Sequence, residues 1–363
     1  MKQSLLRLGI VSVGGAGRAH IARFSKNPKS CIRAVFDPKK ENLKDFLWIK
    51  KRGYVTTDYE KILNDEQIDI ISICSPDHTH FDYATAAIKA GKHVLVEKPM
   101  TTSIEQCEKL QATISNSDKI FGVHHQFRYV PCFMLARNSV TKGEIGLPLI
   151  LEADYIHDMR KRATLYDNWR IDPENPQQIV LGGSCHTIDL IRWILNDEVV
   201  EVFSYASHSG WLNYPDKDTV MTILKFSNEA VGKVLVTIAC QRPQLHPLII
   251  YGTEGSIINN LLLDKQGLKK FIYTPKNKSV KRTIFSRILN QLLMSVKFTQ
   301  AYPFSVYEHE AAWQALIQDF LNCIQEGKEF PINFSESAYT VQICLASIES
   351  YEKGKPVQVK RMF

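Results

Sequence analysis

Short apolar runs alternate with stretches of helical periodicity through the first 125 residues of the chain. The apolar runs are nearly unbroken, which is typical of strands that are buried on both faces of a parallel sheet. Helix ends are also marked, because Asp58 suits an N-cap and Gly91 suits a C-terminal cap. Strands are predicted over 8–13, 32–36, 68–74, 93–97 and 120–124, and helices over 18–24, 59–63, 80–90 and 103–115.

The pattern changes after about residue 126, where longer segments alternate apolar and polar residues. Such alternation is typical of an antiparallel sheet with one covered face. We therefore predict two domains, 1–125 and 126–363, with no internal repeat and no low-complexity linker between them. Strands are predicted over 149–155, 199–207, 219–226 and 231–239, and helices over 185–195, 308–326 and 335–352.

Composition excludes several classes of protein. With 363 residues, 44% hydrophobic and 23% charged, the chain is neither disordered, collagen-like nor a coiled coil. It has no apolar run of about 18 residues and no secretory cleavage site, so we predict a cytoplasmic protein without a membrane span. The eight cysteines lack a C-x-x-C pair, which favours buried thiols in a reducing compartment. A net charge of +7 is compatible with an anionic ligand but too small to indicate nucleic acid binding.

A glycine-rich segment, SVGGAG at 12–17, lies between the first predicted strand and the first predicted helix. In a dinucleotide site, such glycines permit a tight turn and let the backbone approach the pyrophosphate at the helix N-terminus. Ser12 stands at the first glycine position if Gly17 is the third. The loop therefore matches the dinucleotide pattern imperfectly and depends on its context.

Asp37 ends the next strand, 20 residues after Gly17. A carboxylate there could accept hydrogen bonds from ribose hydroxyls, and it would repel a 2′-phosphate, which favours NAD over NADP. Lys39 and Lys40 lie close enough to weaken that preference, so NADP stays open. The alternative is a solvent-facing Asp37 that opens a turn before Pro38.

The segment 68–100 reads IDIISICSPDHTHFDYATAAIKAGKHVLVEKPM and closely resembles the Gfo/Idh/MocA oxidoreductases, named after glucose–fructose oxidoreductase and inositol dehydrogenase. The matching features are Pro76 after a strand, His80 opening a helix, AGKH at 90–93 and EKP at 97–99. Further matches are GGSCHTIDLIRW at 182–193, GEIG at 143–146 and YGTEGS at 251–256. The resemblance spans essentially the whole chain.

The resemblance implies a nicotinamide-dependent enzyme that acts on a sugar, nucleotide sugar or cyclitol. The implied fold is α/β, a Rossmann parallel sheet followed by an α/β domain with a large, open, mostly antiparallel sheet. That sheet commonly forms the oligomer interface, so a homodimer or homotetramer is expected. The glycine loop and the resemblance together give these cofactor-binding candidates: Ser12, Gly14, Gly15, Ala16, Gly17, Asp37, Ser75, Pro76, His80, Glu97 and Lys98.

Oxidation of a secondary alcohol requires a hydride acceptor and a group that takes the hydroxyl proton. Lys98 ends a strand at the edge where open α/β sheets bind ligands, and His186 is the best candidate for the proton acceptor. Asp189 shares a helix face with His186 at i, i+3, and its roles as a substrate contact or a structural carboxylate are evenly balanced. Many relatives carry an acid at the position of Gly182, so their His–Asp relay cannot be copied here.

Secondary candidates for substrate contact follow the last strand of domain one and the first strand of domain two. Arg128 and Tyr129 match a family segment that faces nicotinamide and substrate. All of the candidates except Arg128 are more readily explained by surface or packing roles. No metal site is predicted. The candidates are Arg128, Tyr129, His124, His125, Tyr155, His157 and Arg160, with Asp218 and His309 as weaker ones.

A basic stretch, 265–297, contains nine Lys or Arg and no acid. The first explanation is a solvated basic loop followed by a packed helix. Attraction for an anionic substrate ranks second, and a membrane-surface helix ranks last. Two functions remain open, an NAD(H)-dependent sugar oxidoreductase and a catalytically silent dinucleotide- or sugar-binding regulator on the same fold. Lys98 and His186 favour the enzyme. Among enzymes, the basic stretch leans towards a nucleotide-sugar dehydrogenase over an inositol-type one.

Overall fold

A computed structural model describes residues 5–51, 53–160, 169–241, 244–265, 267–271 and 306–363. Six of its strands form a parallel sheet in the order β3-β2-β1-β4-β5-β6. The order reverses between β1 and β4, and the carboxyl ends of strands at such a switch point form a ligand-binding crevice. These strands are β1 (Leu6–Val11), β2 (Ser30–Phe36), β3 (Tyr54–Thr56), β4 (Ile70–Ile73), β5 (His93–Val96) and β6 (Phe121–Val123).

Helices connect and cover these strands, whose central side chains are inaccessible to solvent. Ser103 caps the fourth helix by accepting a hydrogen bond from the Gln106 backbone N–H, and Gly91 ends the third with a φ of +72°. The α-helices are α1 (Gly15–Phe24), α2 (Glu60–Leu63), α3 (His80–Lys89) and α4 (Ile104–Ser115), with 3₁₀ segments at Lys40–Lys51, Asp77–Thr79 and Gln126–Tyr129.

A second sheet has nine strands within the described residues, in the order β14-β13-β12-β11-β7-β10-β9-β8-β15. Neighbours are antiparallel except β7 and β10, which pair in parallel. Helices α5 (Pro131–Thr141) and α6 (Cys185–Leu195) precede β8, and a π-helical turn (Val180–Ser184) leads into α6. The strands are β7 (Pro148–Ile156), β8 (Val199–Ser207), β9 (Thr219–Phe226), β10 (Val231–Thr237), β11 (Leu248–Gly252), β12 (Gly255–Ile258), β13 (Leu261–Asp264), β14 (Gly267–Phe271) and β15 (Val357–Gln358).

The last two helices are α7 (Val306–Glu326) and α8 (Phe334–Lys353). Helix α8 packs on β8 and also contacts β6, whereas α7 packs on α1 and on the 3₁₀ segment Gln126–Tyr129 beside the first sheet. Phe320 and Phe330 approach β6 so closely that a Cβ on Gly122 would lie 2.7 Å from Phe330 and 3.0 Å from Phe320. The Val123 backbone N–H donates to the Ile332 carbonyl at 2.9 Å, which occupies the outer edge of the parallel sheet.

The predicted α/β fold class is confirmed. Strands β8 and β9 and helix α6 have the predicted bounds, and most other elements shift by one to three residues. Helix α5 and strands β11–β14 were not predicted. Most of the basic stretch lies outside the described residues, as does the side chain of His309.

Two further sequence-based expectations concern the cysteines and the membrane. Six of the eight cysteines are buried. Among the described helices, none is both long and apolar enough to span a bilayer.

Candidate active site

A cleft of about 1040 Å³ opens at the carboxyl ends of the parallel strands and extends to the second sheet. The first sheet contributes the glycine loop and the loops that follow β2, β4 and β5. The second sheet contributes β7 and the turn that leads into α6. Of the predicted site residues, the cleft is lined by Ser12, Gly14, Gly15, Ala16, Asp37, Ser75, Pro76, His80, Glu97, Lys98, Tyr155 and His186.

The glycine loop turns sharply between β1 and α1. Ser12 adopts a φ of +69°, a left-handed conformation that favours glycine. Gly17 packs against this turn, because a Cβ there would lie 1.9 Å from the Ser12 carbonyl oxygen. Gly14 lines the cleft, and a Cβ at Gly14 would meet no atom within 4 Å. The glycine loop therefore leaves the backbone accessible at the N-terminus of α1. This geometry suits a pyrophosphate.

Asp37 holds its carboxylate in a fixed orientation at the end of β2. Its Oδ2 accepts from the Val13 backbone N–H at 3.0 Å, and its Oδ1 accepts from Lys39 N–H and the Asn42 amide at 3.0 Å each. Asp37 is 4% exposed, so the alternative of a solvent-facing turn residue is wrong. A rigid acid at this point of the cleft suits the hydroxyls of a ribose.

His80 joins two of the loops that line the cleft. Its ring bridges the carbonyl oxygens of Ser75 and Pro99, at 2.8 and 2.6 Å, and the side chain is fully buried. His80 therefore fixes the loop after β4 against the loop after β5. Lys98 belongs to the second of these loops.

Glu97, the residue before Lys98, contacts two buried histidines. Its Oε1 lies 3.0 Å from His20 Nε2 and 3.3 Å from His124 Nδ1. Burial lowers the pKa of His124 to about 3, which keeps this imidazole neutral at physiological pH. Of this group, only Glu97 lines the cleft.

Lys98 reaches across the cleft to the second sheet. Its Nζ donates to the Gly182 carbonyl oxygen at 2.6 Å. Burial lowers the pKa of Lys98, but the neighbouring Cys185, Asp77 and Tyr155 outweigh that effect and raise it above the usual value. The ammonium is therefore charged at neutral pH and is held in the centre of the cleft.

His186 lies in the first turn of α6 and lines the same cleft as Lys98. Its imidazole lies between two aromatic rings, with the Phe127 centroid at 4.6 Å and 21° and the Tyr155 centroid at 5.8 Å and 9°. Gly183 makes room for this stack, because a Cβ there would lie 2.7 Å from Val236 and 3.1 Å from Tyr155. Aromatic stacking thus restrains the His186 ring, with Gly182 offering no side chain to orient it.

The side chain of Gln177 occupies the space beside Gly182. A Cβ on Gly182 would lie 2.6 Å from the Gln177 amide. The Gln177 Nε2 donates to Asp77 Oδ2 at 2.7 Å and so links the second sheet's side of the cleft to the loop after β4. An acid at residue 182 would collide with this link.

Comparison with known proteins matches both halves of the chain to one family. Residues 6–125 match an oxidoreductase family's NAD-binding Rossmann fold, and residues 137–359 match the C-terminal alpha/beta domain of the same family. The chain belongs to the Gfo/Idh/MocA oxidoreductases. The predicted family and the NAD-binding Rossmann sheet are thereby confirmed.

Relatives of this oxidoreductase include named dehydrogenases. It is 26% identical to the scyllo-inositol 2-dehydrogenase (NAD(+)) of Bacillus subtilis over 372 residues, 99% of this chain and 98% of the relative. It is 25% identical to the levoglucosan dehydrogenase of Pseudarthrobacter phenanthrenivorans over 303 residues, 70% and 73% of the two chains. A solved levoglucosan dehydrogenase with NADH and levoglucosan shares the fold, with a TM-score of 0.81, 22% identity and coverage of 99% and 100%.

Asp189 and Arg128 do not line the cleft of this oxidoreductase, which argues against their predicted substrate contacts. Asp189 is fully buried and accepts from the Arg128 guanidinium at 2.8 and 2.6 Å. Burial raises the pKa of Asp189, but Arg128 and His125 outweigh it and lower the pKa to about 2. Because i, i+3 spacing fixes a helix face but not its neighbours, the sequence left both roles open.

The remaining candidates lie around the cleft with other partners. His157 does not line it, although its Nδ1 lies 3.3 Å from the Tyr155 hydroxyl. Tyr129 donates to Asp319, and Arg160 pairs with Asp158 at 2.8 Å. Asp218 accepts from the backbone N–H groups of a loop at 210–211. His124 and His125 are both buried.

Several residues that line the cleft were not predicted. Asp77 lies inside the SPDH segment that carries the family resemblance, so attention to that motif could have found it. The others come from elements without a recognisable motif, and only the fold brings them to the cleft. These residues are Gln126, Phe127, Trp169, Arg170, Gln177, Gln244 and Trp313.

Proposed function

We propose that this oxidoreductase moves a hydride between NAD and a secondary alcohol or ketone carbon of a sugar or cyclitol, with nucleotide sugars as a further class to test. One observation carries the proposal. Lys98 from the first sheet and His186 from the second line the same cleft as the glycine loop. When bound there, the nicotinamide supplies or accepts the hydride.

The glycine loop and Asp37 fit the dinucleotide. The backbone at Gly14 and the start of α1 would bind the pyrophosphate, and Asp37 would accept hydrogen bonds from ribose hydroxyls. The fixed carboxylate would repel a 2′-phosphate, so we expect NAD to bind more tightly than NADP. Ser75, Pro76, His80 and Glu97 would shape the nicotinamide end, His80 through the loops that it joins.

Lys98 and His186 would act on the reacting hydroxyl. The Lys98 ammonium can exchange its bond to the Gly182 carbonyl for the substrate oxygen and stabilise negative charge that develops there. His186, restrained between Phe127 and Tyr155, can accept the hydroxyl proton and return it in the reverse direction. The chain thus needs no acid at residue 182 to orient the imidazole.

The lining of the cleft favours a compact polyol as substrate. Tyr155 and Trp169 are aromatic groups at its wall, while Asp77, Gln177 and Gln244 offer hydrogen-bonding atoms. This combination suits a ring that carries C–H faces and many hydroxyls. The names of the inositol and levoglucosan dehydrogenases among the relatives support the same class.

A substrate screen followed by two substitutions tests the function. Absorbance of NADH would be followed with scyllo-inositol, myo-inositol, levoglucosan and a nucleotide sugar. On any substrate that turns over, Lys98→Ala and His186→Ala should each lower kcat by about 10²- to 10⁴-fold, with NADH affinity close to that of the wild type. The two losses should not add, because both groups act on one proton.

The exposed His208 provides a control, since His208→Ala should leave kcat unchanged. Near-normal turnover by His186→Ala would remove the proposed proton transfer. Tight NADH binding with no turnover on any alcohol would instead support the catalytically silent binding protein.

We also propose a domain boundary near residue 125, a cytoplasmic location and a homo-oligomer. The mostly buried cysteines support a reducing compartment. The face of the second sheet that carries Tyr205, Met221 and Ile223 exposes these large apolar side chains by 40–72%, which supports a subunit interface there.

A further inference from the structure

Three donor side chains from separate elements converge beneath the cleft. His20 lies on α1, Glu97 follows β5, and His124 follows β6. The Glu97 Oε1 is 3.0 Å from His20 Nε2 and 3.3 Å from His124 Nδ1, and the three donor atoms lie within 4.8 Å of one another. Both histidines are inaccessible to solvent, and Glu97 is 8% exposed.

His124 is the unusual member of this group. Among the described residues, neither of its ring nitrogens has a hydrogen-bond partner, although Nδ1 points towards Glu97 at 3.3 Å. Buried polar side chains are nearly always paired, so each exception requires an explanation. A ligand held between His124 and its two neighbours would supply the missing partner.

The spacing of the donors is that of a metal site. A tetrahedral ion with bonds of about 2.0–2.1 Å separates its donors by about 3.3–3.4 Å, close to the distances from Glu97 to the two histidines. The His20 Nδ1 lies 2.8 Å from Ser72 Oγ. The His20 Nε2 is hydrogen-bonded to Glu97 Oε1 at 3.0 Å, so a metal would displace the Nε2 proton. Nδ1 would then donate to the Ser72 hydroxyl, the usual outer support of a ligating histidine.

We propose that His20, Glu97 and His124 form a binding site for a divalent transition metal of the Zn²⁺ or Co²⁺ class. Two imidazoles and one carboxylate are a donor set that such ions prefer. A fourth position would face the cleft, because Glu97 and Trp313 both line it. The site differs from the Lys98–His186 pair, whereas the sequence predicted no metal site.

Nearby positive charge limits the affinity of this site. The Arg23 guanidinium lies 4.5 Å from the centroid of the Trp313 ring, which itself packs on His124 at 4.2 Å. Lys98 adds a second cation next to Glu97. We therefore expect the metal to bind more weakly here than at sites with several carboxylates. Binding should still reach saturation in a titration of the isolated protein.

Titration of chelator-treated, tag-free, full-length protein with Co²⁺ and Zn²⁺ tests the site. Calorimetry should give one equivalent, and Co²⁺ should produce the visible bands of a four-coordinate ion with nitrogen and oxygen donors. His20→Asn and His124→Asn should each weaken binding at least about tenfold. His208→Ala, which changes an exposed histidine, should leave it unchanged.

Several results would overturn the site. These are absence of binding, binding retained in both His20→Asn and His124→Asn, and a thiolate-to-cobalt charge-transfer band, which would assign the ion to cysteines. If circular dichroism shows that the histidine variants fail to fold, Ser72→Ala replaces them, with an expected loss of about tenfold through His20. The titration needs no alcohol substrate, so its outcome is independent of the proposed activity.

Discussion

Ser12 holds a left-handed backbone conformation at the turn that begins the glycine loop. A non-glycine residue in this region is disfavoured by roughly 1–2 kcal/mol, part of which glycine gives back as extra freedom in the unfolded chain. Ser12→Gly should therefore raise the free energy of unfolding by about 1 kcal/mol, measured by urea denaturation. Ser30→Gly, in β2 at an ordinary backbone conformation, should lower it instead. Equal effects of the two substitutions would contradict the strain assigned to Ser12.

Asp189 and Arg128 form a buried ion pair, and without the Asp189 charge the Arg128 guanidinium keeps, among the described residues, only its contact with Glu336 at 3.1 Å. Asp189→Asn should lower the free energy of unfolding by about 3 kcal/mol at pH 7. Because folding lowers the pKa of Asp189 to about 2, the wild type holds this stabilisation above about pH 4 and loses it as the pH falls towards 2. The difference in the free energy of unfolding between variant and wild type, measured by urea denaturation, should therefore decrease as the pH falls from about 4 towards 2.

The exposed Glu229 provides the control for Asp189, because Glu229→Gln should change the stability by less than about 0.5 kcal/mol. A substrate contact at Asp189 predicts a different result. In that case KM would rise strongly while the free energy of unfolding stayed near that of the wild type.

At the scale of elements, β6 and α7 meet at Gly122, where any side chain would enter the Phe320 and Phe330 rings. Overpacking of a core contact typically costs about 1–3 kcal/mol. Gly122→Ala should therefore lower the free energy of unfolding by about 2 kcal/mol in chemical denaturation. Gly14→Ala, where a Cβ meets open space, should change it by less than about 1 kcal/mol. If Gly122→Ala left the free energy of unfolding unchanged, the Phe320 and Phe330 rings would have to shift without any loss of stability.

The sequence predicted elements whose periodicity runs long enough to be read. Strands β8 and β9 alternate over eight or nine residues, and α6 follows a clear apolar face. Within the described residues, strands β11–β14 lack the flanking helices that mark the equally short β4–β6, and they form through pairing with one another and with β7, which no local pattern records. Likewise, the motifs located Lys98 and His186, whereas Gln177 and Trp313 reach the cleft only through the tertiary fold.

For the whole molecule, the open face of the second sheet is the proposed subunit interface. Tyr205 pairs with Met221, and Phe203 with Ile223, on neighbouring strands of this face. If the face is a subunit interface, Met221→Lys should shift the protein towards the monomer, because it buries a charge among apolar residues. Light scattering after gel filtration would measure this shift.

Trp48 is an exposed apolar residue in the 3₁₀ segment that follows β2 of the first sheet. Trp48→Lys is therefore the matched control and should leave the mass of the assembly unchanged. A wild-type protein that is monomeric at micromolar concentration would rule out the interface. An oligomer whose mass does not change in Met221→Lys would also rule out the interface.

The return of α7 and Ile332 to the parallel sheet has a consequence for biosynthesis. Residue 123 is made more than 200 residues before its hydrogen-bond partner at residue 332. Until residues 320–332 leave the ribosome, the nascent sheet carries an open strand edge at β6 and lacks the rings of Phe320 and Phe330. Unpaired edges invite association with other chains. The parallel sheet, although its strands are translated first, is therefore completed only after residues 306–332 have been made.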